Sequence, residues 1–161
     1  MIGRFFYTFP YMDVVVKKQL INLCLKQVEG QMNEITLALQ QAQEAIENET
    51  KSSAGDKYET SREMLQQDIS RYHGQLLQIK KNWNVLRKLE TRVRQKAEIG
   101  SVVVTDQATY FIAVSLGIQQ LDHTTFVVVS PLSPIGKLLI GTKEGDSIHF
   151  NDNKQVVVAM Y

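Results

Sequence analysis

The chain has 161 residues, with 18 basic against 17 acidic side chains and a formal net charge of +1 at neutral pH. That length suits one or two small domains, and the charge balance excludes the strongly basic surface of a general nucleic-acid binder. The single cysteine, Cys24, excludes an internal disulfide, and its place near the apolar face of a helix reads as packing rather than nucleophilic chemistry.

In chain order, the first stretch is the most unusual in composition: Phe5, Phe6, Tyr7, Phe9 and Tyr11 accompany one charge, Arg4. It is too short to span a membrane, and it lacks the apolar core and small-residue cleavage site of a secretory signal. Residues 1–12 therefore read as a leader, disordered or belonging to a start assigned too early, with Asp13 capping the first helix.

Two apolar stripes follow. The first runs Val28, Met32, Ile35, Leu39, Ala42, Ile46; the second runs Leu65, Ile69, Tyr72, Leu76, Ile79, Trp83, Leu86, then skips Glu90 to reach Val93 and Ala97. Steps alternating between three and four keep one seam facing a partner helix. Folding the chain between residues 55 and 56 sets Ile46 against Leu65, Leu39 against Tyr72 and Val28 against Trp83, with every pair apolar. The spacing thus predicts an antiparallel coiled-coil hairpin over 13–98, turning near 50–59 at Thr50-Lys51-Ser52-Ser53-Ala54-Gly55-Asp56. At the helical rise, the stretch from Asp56 to Ala97 projects the tip by roughly 60 Å. Such a rod suits reaching into a cavity of a larger partner better than enclosing a pocket of its own.

Beyond Glu98 the pattern becomes extended. Val102–Val104, Tyr110–Val114, Phe126–Val129, Ser147–Phe150 and Val156–Met160 are β-branched or aromatic runs between turn residues such as Gly117 and Asn151-Asp152-Asn153. Ser133 before Pro134 suits a helix cap and first helical position, and Gly141 suits a stop. Residues 99–161 therefore read as a small antiparallel sheet crossed by one short helix, and the whole chain as a two-domain α+β protein.

The chemistry-bearing residues are sparse. His73, His123 and His149 have no cysteine or carboxylate at zinc-ligand spacing, and no phosphate-binding glycine loop or nucleophilic triad is present. Asp56 and Glu59 stand out by position, at the midpoint of the two stripes. Three residues apart at a helix start, they read either as a capping box or as a pair of carboxylates able to share a Mg²⁺ with ligands from a partner. Acidic residues gather towards the tip and Lys80, Lys81, Arg87, Lys88, Arg92, Arg94 and Lys96 towards the base. That polarity reads either as solvation of the outer faces or as a basic surface for RNA or for an acidic protein surface. Trp83 and Tyr72 hold seam positions and read as packing.

Gly55-Asp56-Lys57-Tyr58-Glu59 at the hairpin tip, with a later Ser133-Pro134-Ile135-Gly136-Lys137-Leu138-Leu139-Ile140-Gly141 run and Gly145-Asp146, resembles the Gre family of bacterial transcript-cleavage factors. Both halves match in the family's order. The resemblance implies an FKBP-like C-terminal domain that docks at the secondary channel of RNA polymerase, and a coiled coil that enters it. It implies Asp56 and Glu59 as the pair that assists catalysis by holding Mg²⁺ jointly with the polymerase, with none bound alone. Ser133, Pro134 and Ile135 would contact the partner. The protein would then be a cytoplasmic monomer, not an enzyme itself, that stimulates the polymerase's cleavage of backtracked RNA, with the basic base near nascent RNA and no membrane partner. Thr60-Ser61-Arg62-Glu63-Met64 stands where the family has an Asn-Ala-Glu-Tyr-like run, so the alternative is a channel-binding regulator without cleavage activity.

Overall fold

The computed structural model describes residue 12, residues 14–51 and residues 55–161, with residues 50, 51 and 55–58 described by backbone alone. Asp13 and residues 1–11, the proposed cap and nearly all of the proposed leader, lie outside the described residues. The chain divides into two compact units, Leu25–Arg87 and, separately, Lys88–Tyr161 with the chain up to Cys24.

The first unit is a helical hairpin. α1 spans Val14–Lys51, its residues from Leu25 onward belonging to this unit, and α2 spans Gly55–Arg87. The period of 3.5 is visible in solvation: Met32, Ile35, Leu39 and Ile46, and Leu65, Ile69, Tyr72, Leu76, Ile79 and Trp83, are half-buried, while Val28, Ala42 and Leu86 are buried. Trp83 Nε1 donates to Glu29 Oε1 at 3.2 Å, which sets residues 28 and 29 beside residue 83, as the stripe pairing requires.

Two expectations for this unit need correction. The turn is shorter than the polar run suggested, because helix continues to Lys51 and resumes at Gly55. The second helix also stops at Arg87, so Val93 and Ala97 do not extend the helical seam. The cause is tertiary. Arg94 folds back to donate to the carbonyls of Glu90 and Arg92 at 3.3 and 3.0 Å, and Lys17 Nζ donates to Arg92 O at 3.0 Å. Side chains thus take carbonyls that an extended helix would have used, overriding a modest local preference.

The second unit holds a six-stranded sheet in the order β3-β4-β2-β1-β6-β5. Its strands are β1 Val102–Thr105, β2 Thr109–Ile112, β3 Gly117–Leu121, β4 Thr124–Val129, β5 Ser147–Phe150 and β6 Asn153–Met160, with α3 at Pro134–Leu139. The sheet is not wholly antiparallel, since β2 and β4 pair in parallel. β3 was missed because Gly117 reads as a turn and Gln119-Gln120 lacks strand character; antiparallel pairing to β4 makes the strand all the same. Asn151 and Asp152 both have positive φ, 49° and 63°, which a type I′ turn demands between β5 and β6.

Alternation along the strands gives the sheet two buried faces. Val103, Tyr110, Ile112, Val129, Ile148 and Val157 pack with Ile135 and Leu139 of α3 and with Ala97. Val102, Val104, Phe111, Phe126 and Val128 lie on the opposite face and are equally sealed. Met12 and Val16, from the start of the chain, share a groove with Val104 and Phe126 on that side.

Candidate functional site

With α2 beginning at Gly55, positions 56 and 59 both have helical backbone within its first turns, three residues apart and so on one face. An N-cap residue has non-helical backbone, so Asp56 does not take the place the capping box assigns it. Carboxylates there still lie near the positive end of the helix dipole. Glu59 is exposed, and the Asp56 side chain lies outside the described residues. The two positions stand where α1 and α2 join, position 59 about 42 Å and position 56 about 46 Å along α2 from Arg87 at the helical rise. Among the described residues, no three His, Cys, Asp or Glu side chains gather as metal ligands.

Ser133, Pro134 and Ile135 come together at the start of α3 but face different surroundings. Ser133 Oγ accepts from Gly136 N at 3.1 Å and donates to Ser130 O at 2.7 Å, so its hydroxyl is occupied with holding the helix start. A side chain at Gly136 would meet Ser130 O at 1.9 Å, which fixes glycine at that close approach. Pro134 is exposed as the first helical residue, whereas Ile135 is 8% exposed and belongs to the core. The exposed apolar side chain beside this turn is Leu132, at 77%, with Leu138 and Ile140 on and after the helix. The sequence signals which residue caps the helix, not which face the helix shows.

A cluster that the sequence reading overlooked joins the first turns of α1 to the segment after α2. Lys17 is 1% exposed, and Arg94 lies sealed beside it, paired with Glu98. Burial and the nearby Arg94 and Arg92 guanidiniums pull the Lys17 ammonium down to about 8. The hydrogen bond from Arg94 holds the Glu98 carboxyl below its usual value. A signal was present, because Lys17, Leu20, Ile21, Cys24 and Val28 continue one helical stripe. Cys24 is fully buried in that stripe, and desolvation raises its thiol to about 12, which fits a packed side chain.

The basic residues Lys80, Lys81 and Arg87 lie in the part of α2 remote from its joined end, and Arg87 stacks over the Trp83 ring at 4.5 Å. Among the described residues, no helix is long and apolar enough to cross a membrane.

No family model and no curated protein matches the chain. Solved structures do. GreA factor homolog 1 (Gfh1) of Thermus thermophilus is 20% identical, over 86% of this chain and 95% of that one, with a TM-score of 0.37. Thermus aquaticus Gfh1 is 21% identical, over 87% and 95%, with a TM-score of 0.35. A further structure, described as that of the transcription factor Gfh1, is 20% identical, over 86% of this chain and 94% of that one, with a TM-score of 0.35.

Proposed function

We propose that the protein is a Gre-like transcription factor that binds RNA polymerase at its secondary channel and brings the joined end of its helical unit to the polymerase active site. The reading rests on the Gly55-to-Glu59 and Ser133-to-Asp146 resemblance. The observation that carries it is the placement of positions 56 and 59 on one face of α2 where the two helices join. A slender helical pair delivers its end into a channel and offers little enclosed space of its own.

Hard carboxylate oxygens suit Mg²⁺, and two of them leave coordination positions for ligands from the polymerase and the RNA. Asp56 and Glu59 would help to hold an ion that, together with one held by the polymerase, would supply water activation and stabilisation of the leaving oxygen of a phosphodiester. The chain's own contribution is positional: the seam from Val28 to Ile46 and from Leu65 to Leu86 holds the pair steady, and Asp56 and Glu59 present oxygen donors. In this reading the protein is an accessory to the polymerase's own RNA cleavage, acts as a monomer in the cytoplasm and holds no metal alone. Leu132 and Pro134, rather than the buried Ile135, offer contact area for docking beside α3. Lys80, Lys81 and Arg87 give the remote end a surface for nascent RNA, so that contact weakens as salt rises.

A stalled, backtracked elongation complex tests the proposal. Wild-type protein shortens the RNA faster than buffer, and Asp56→Ala or Glu59→Ala removes most of the acceleration while polymerase binding persists. Equal shortening by wild type and both variants rejects the metal role, and failure to bind polymerase rejects the whole reading. A second reading, binding without cleavage, is favoured by Arg62, an exposed cation three residues from Glu59. It gives full binding with no acceleration in wild type, and Arg62→Ala then tests whether that cation blocks the metal.

A further inference from the structure

The groove beside β1, β2 and β4 is not used by the proposed polymerase chemistry. It encloses about 590 Å³ in the sheet unit, within the range of ligand-binding clefts. Its apolar lining includes Val16, Val104 and Phe126, and Asp106 and Asp122 stand on its rim. No lysine or arginine is among the described residues that line it. One Asp106 oxygen accepts from Val156 N at 2.9 Å, while the Asp122 side chain is exposed at the β3–β4 turn. A fitting occupant is therefore apolar, rich in large side chains and weakly cationic. Phe126 is the only Phe, Tyr or Trp among the described lining residues.

Met12 also lines this groove and is only 5% exposed, so the chain already enters it at residue 12. The residues before Met12 have the matching chemistry: Phe5, Phe6, Tyr7, Phe9 and Tyr11, with Arg4 as their one charge and no carboxylate. Eleven residues reach up to about 36 Å, ample to cover a groove at their own tether. Tethering also raises their local concentration far above that of a free ligand.

We propose that this groove is the docking site of the chain's own aromatic segment, residues 1–11, with Arg4 attracted to the acidic rim. The segment acts as an internal ligand of the sheet unit, covering apolar surface that an external partner must otherwise cover or displace.

The test compares the full chain with one starting at Met12. Hydrogen exchange over residues 105–109 and 121–127 is about tenfold slower in the full chain if the segment occupies the groove. A fluorescent peptide of residues 1–11 binds the shortened chain and not the full one. Asp122→Asn, which suits the left-handed turn (φ 53°), weakens that peptide about threefold but leaves an Arg4→Ala peptide unaffected. Identical exchange in the two chains, with no peptide binding, overturns the proposal and makes the segment dispensable. A shortened chain that dimerises through these same turns also overturns it, giving the groove to a second copy. Should the shortened chain fail to fold, the full chain carrying Phe5→Ser, Phe6→Ser and Phe9→Ser gives the same exchange comparison.

Discussion

Phe111 in β2 and Ile69 in α2 are both apolar residues inside regular elements, yet Phe111 is fully sealed and Ile69 only half-buried. The difference follows from layering. A sheet with both faces covered seals its central strands, as in β1 and β2, whereas each helix of a pair finds one partner and leaves the rest of its circumference in water. The helical unit supplements its seam with exposed contacts along each helix, such as Gln40 to Glu44, Gln78 to Asn82 and Arg71 with Asp68. Contacts of that kind contribute only a few tenths of a kcal/mol each. The sheet unit is therefore built for a fixed surface, and the helical unit for length.

Truncating Phe111 to Ala is the harshest challenge to that contrast. It costs about 3–5 kcal/mol, read as a shift of the denaturation midpoint, because the cavity lies in a sealed interior.

Lys17 sharpens the comparison through pH. Its folded pKa of about 8 lies below the ordinary lysine value near 10.5, so between those values the unfolded chain binds more protons than the folded one. The charged form therefore costs stability throughout the range below about 8, and the cost is relieved as pH rises to 10.5. The gain is at most about 3 kcal/mol by linkage. Urea melts at pH 7 and pH 10, with Lys17→Met as the control that loses this slope, check the assignment. Glu98 acts in the same direction at lower pH: its lowered pKa gives stability that is present above pH 4.5 and lost as pH falls through the folded value.

The smallest effect belongs to the seam. Ile69→Ala costs about 1–2 kcal/mol, since only part of the side chain leaves water on folding. Circular dichroism melts measure it, and a loss as large as that of Phe111→Ala breaks the contrast between a sealed interior and an open seam.

The seam was legible because its residues repeat every 3.5 positions and are solvated differently from their neighbours. Ser133-Pro134 was legible because capping is local chemistry. The end of α2 was not, since it depends on Lys17 and Arg94, and the carbonyl that Lys17 takes lies 75 residues away in sequence. β3 was hidden for a related reason: Gly117 through Leu121 is a strand because β4 is beside it. At the candidate site, the spacing of Asp56 and Glu59 was readable, but the burial of Ile135 and the exposure of Leu132 depend on how α3 lies on the sheet.

Trp83 is the only tryptophan in the chain, and it lies in the helical unit between Glu29, bonded at 3.2 Å, and Arg87, stacked at 4.5 Å. Its emission is consequently a native optical probe of one unit alone. Separation of that ring from its two charged neighbours changes the emission, while melting confined to the sheet leaves it dark to the observer. Comparing tryptophan emission with a signal from the strands therefore reveals whether the two units unfold as one cooperative body or in sequence.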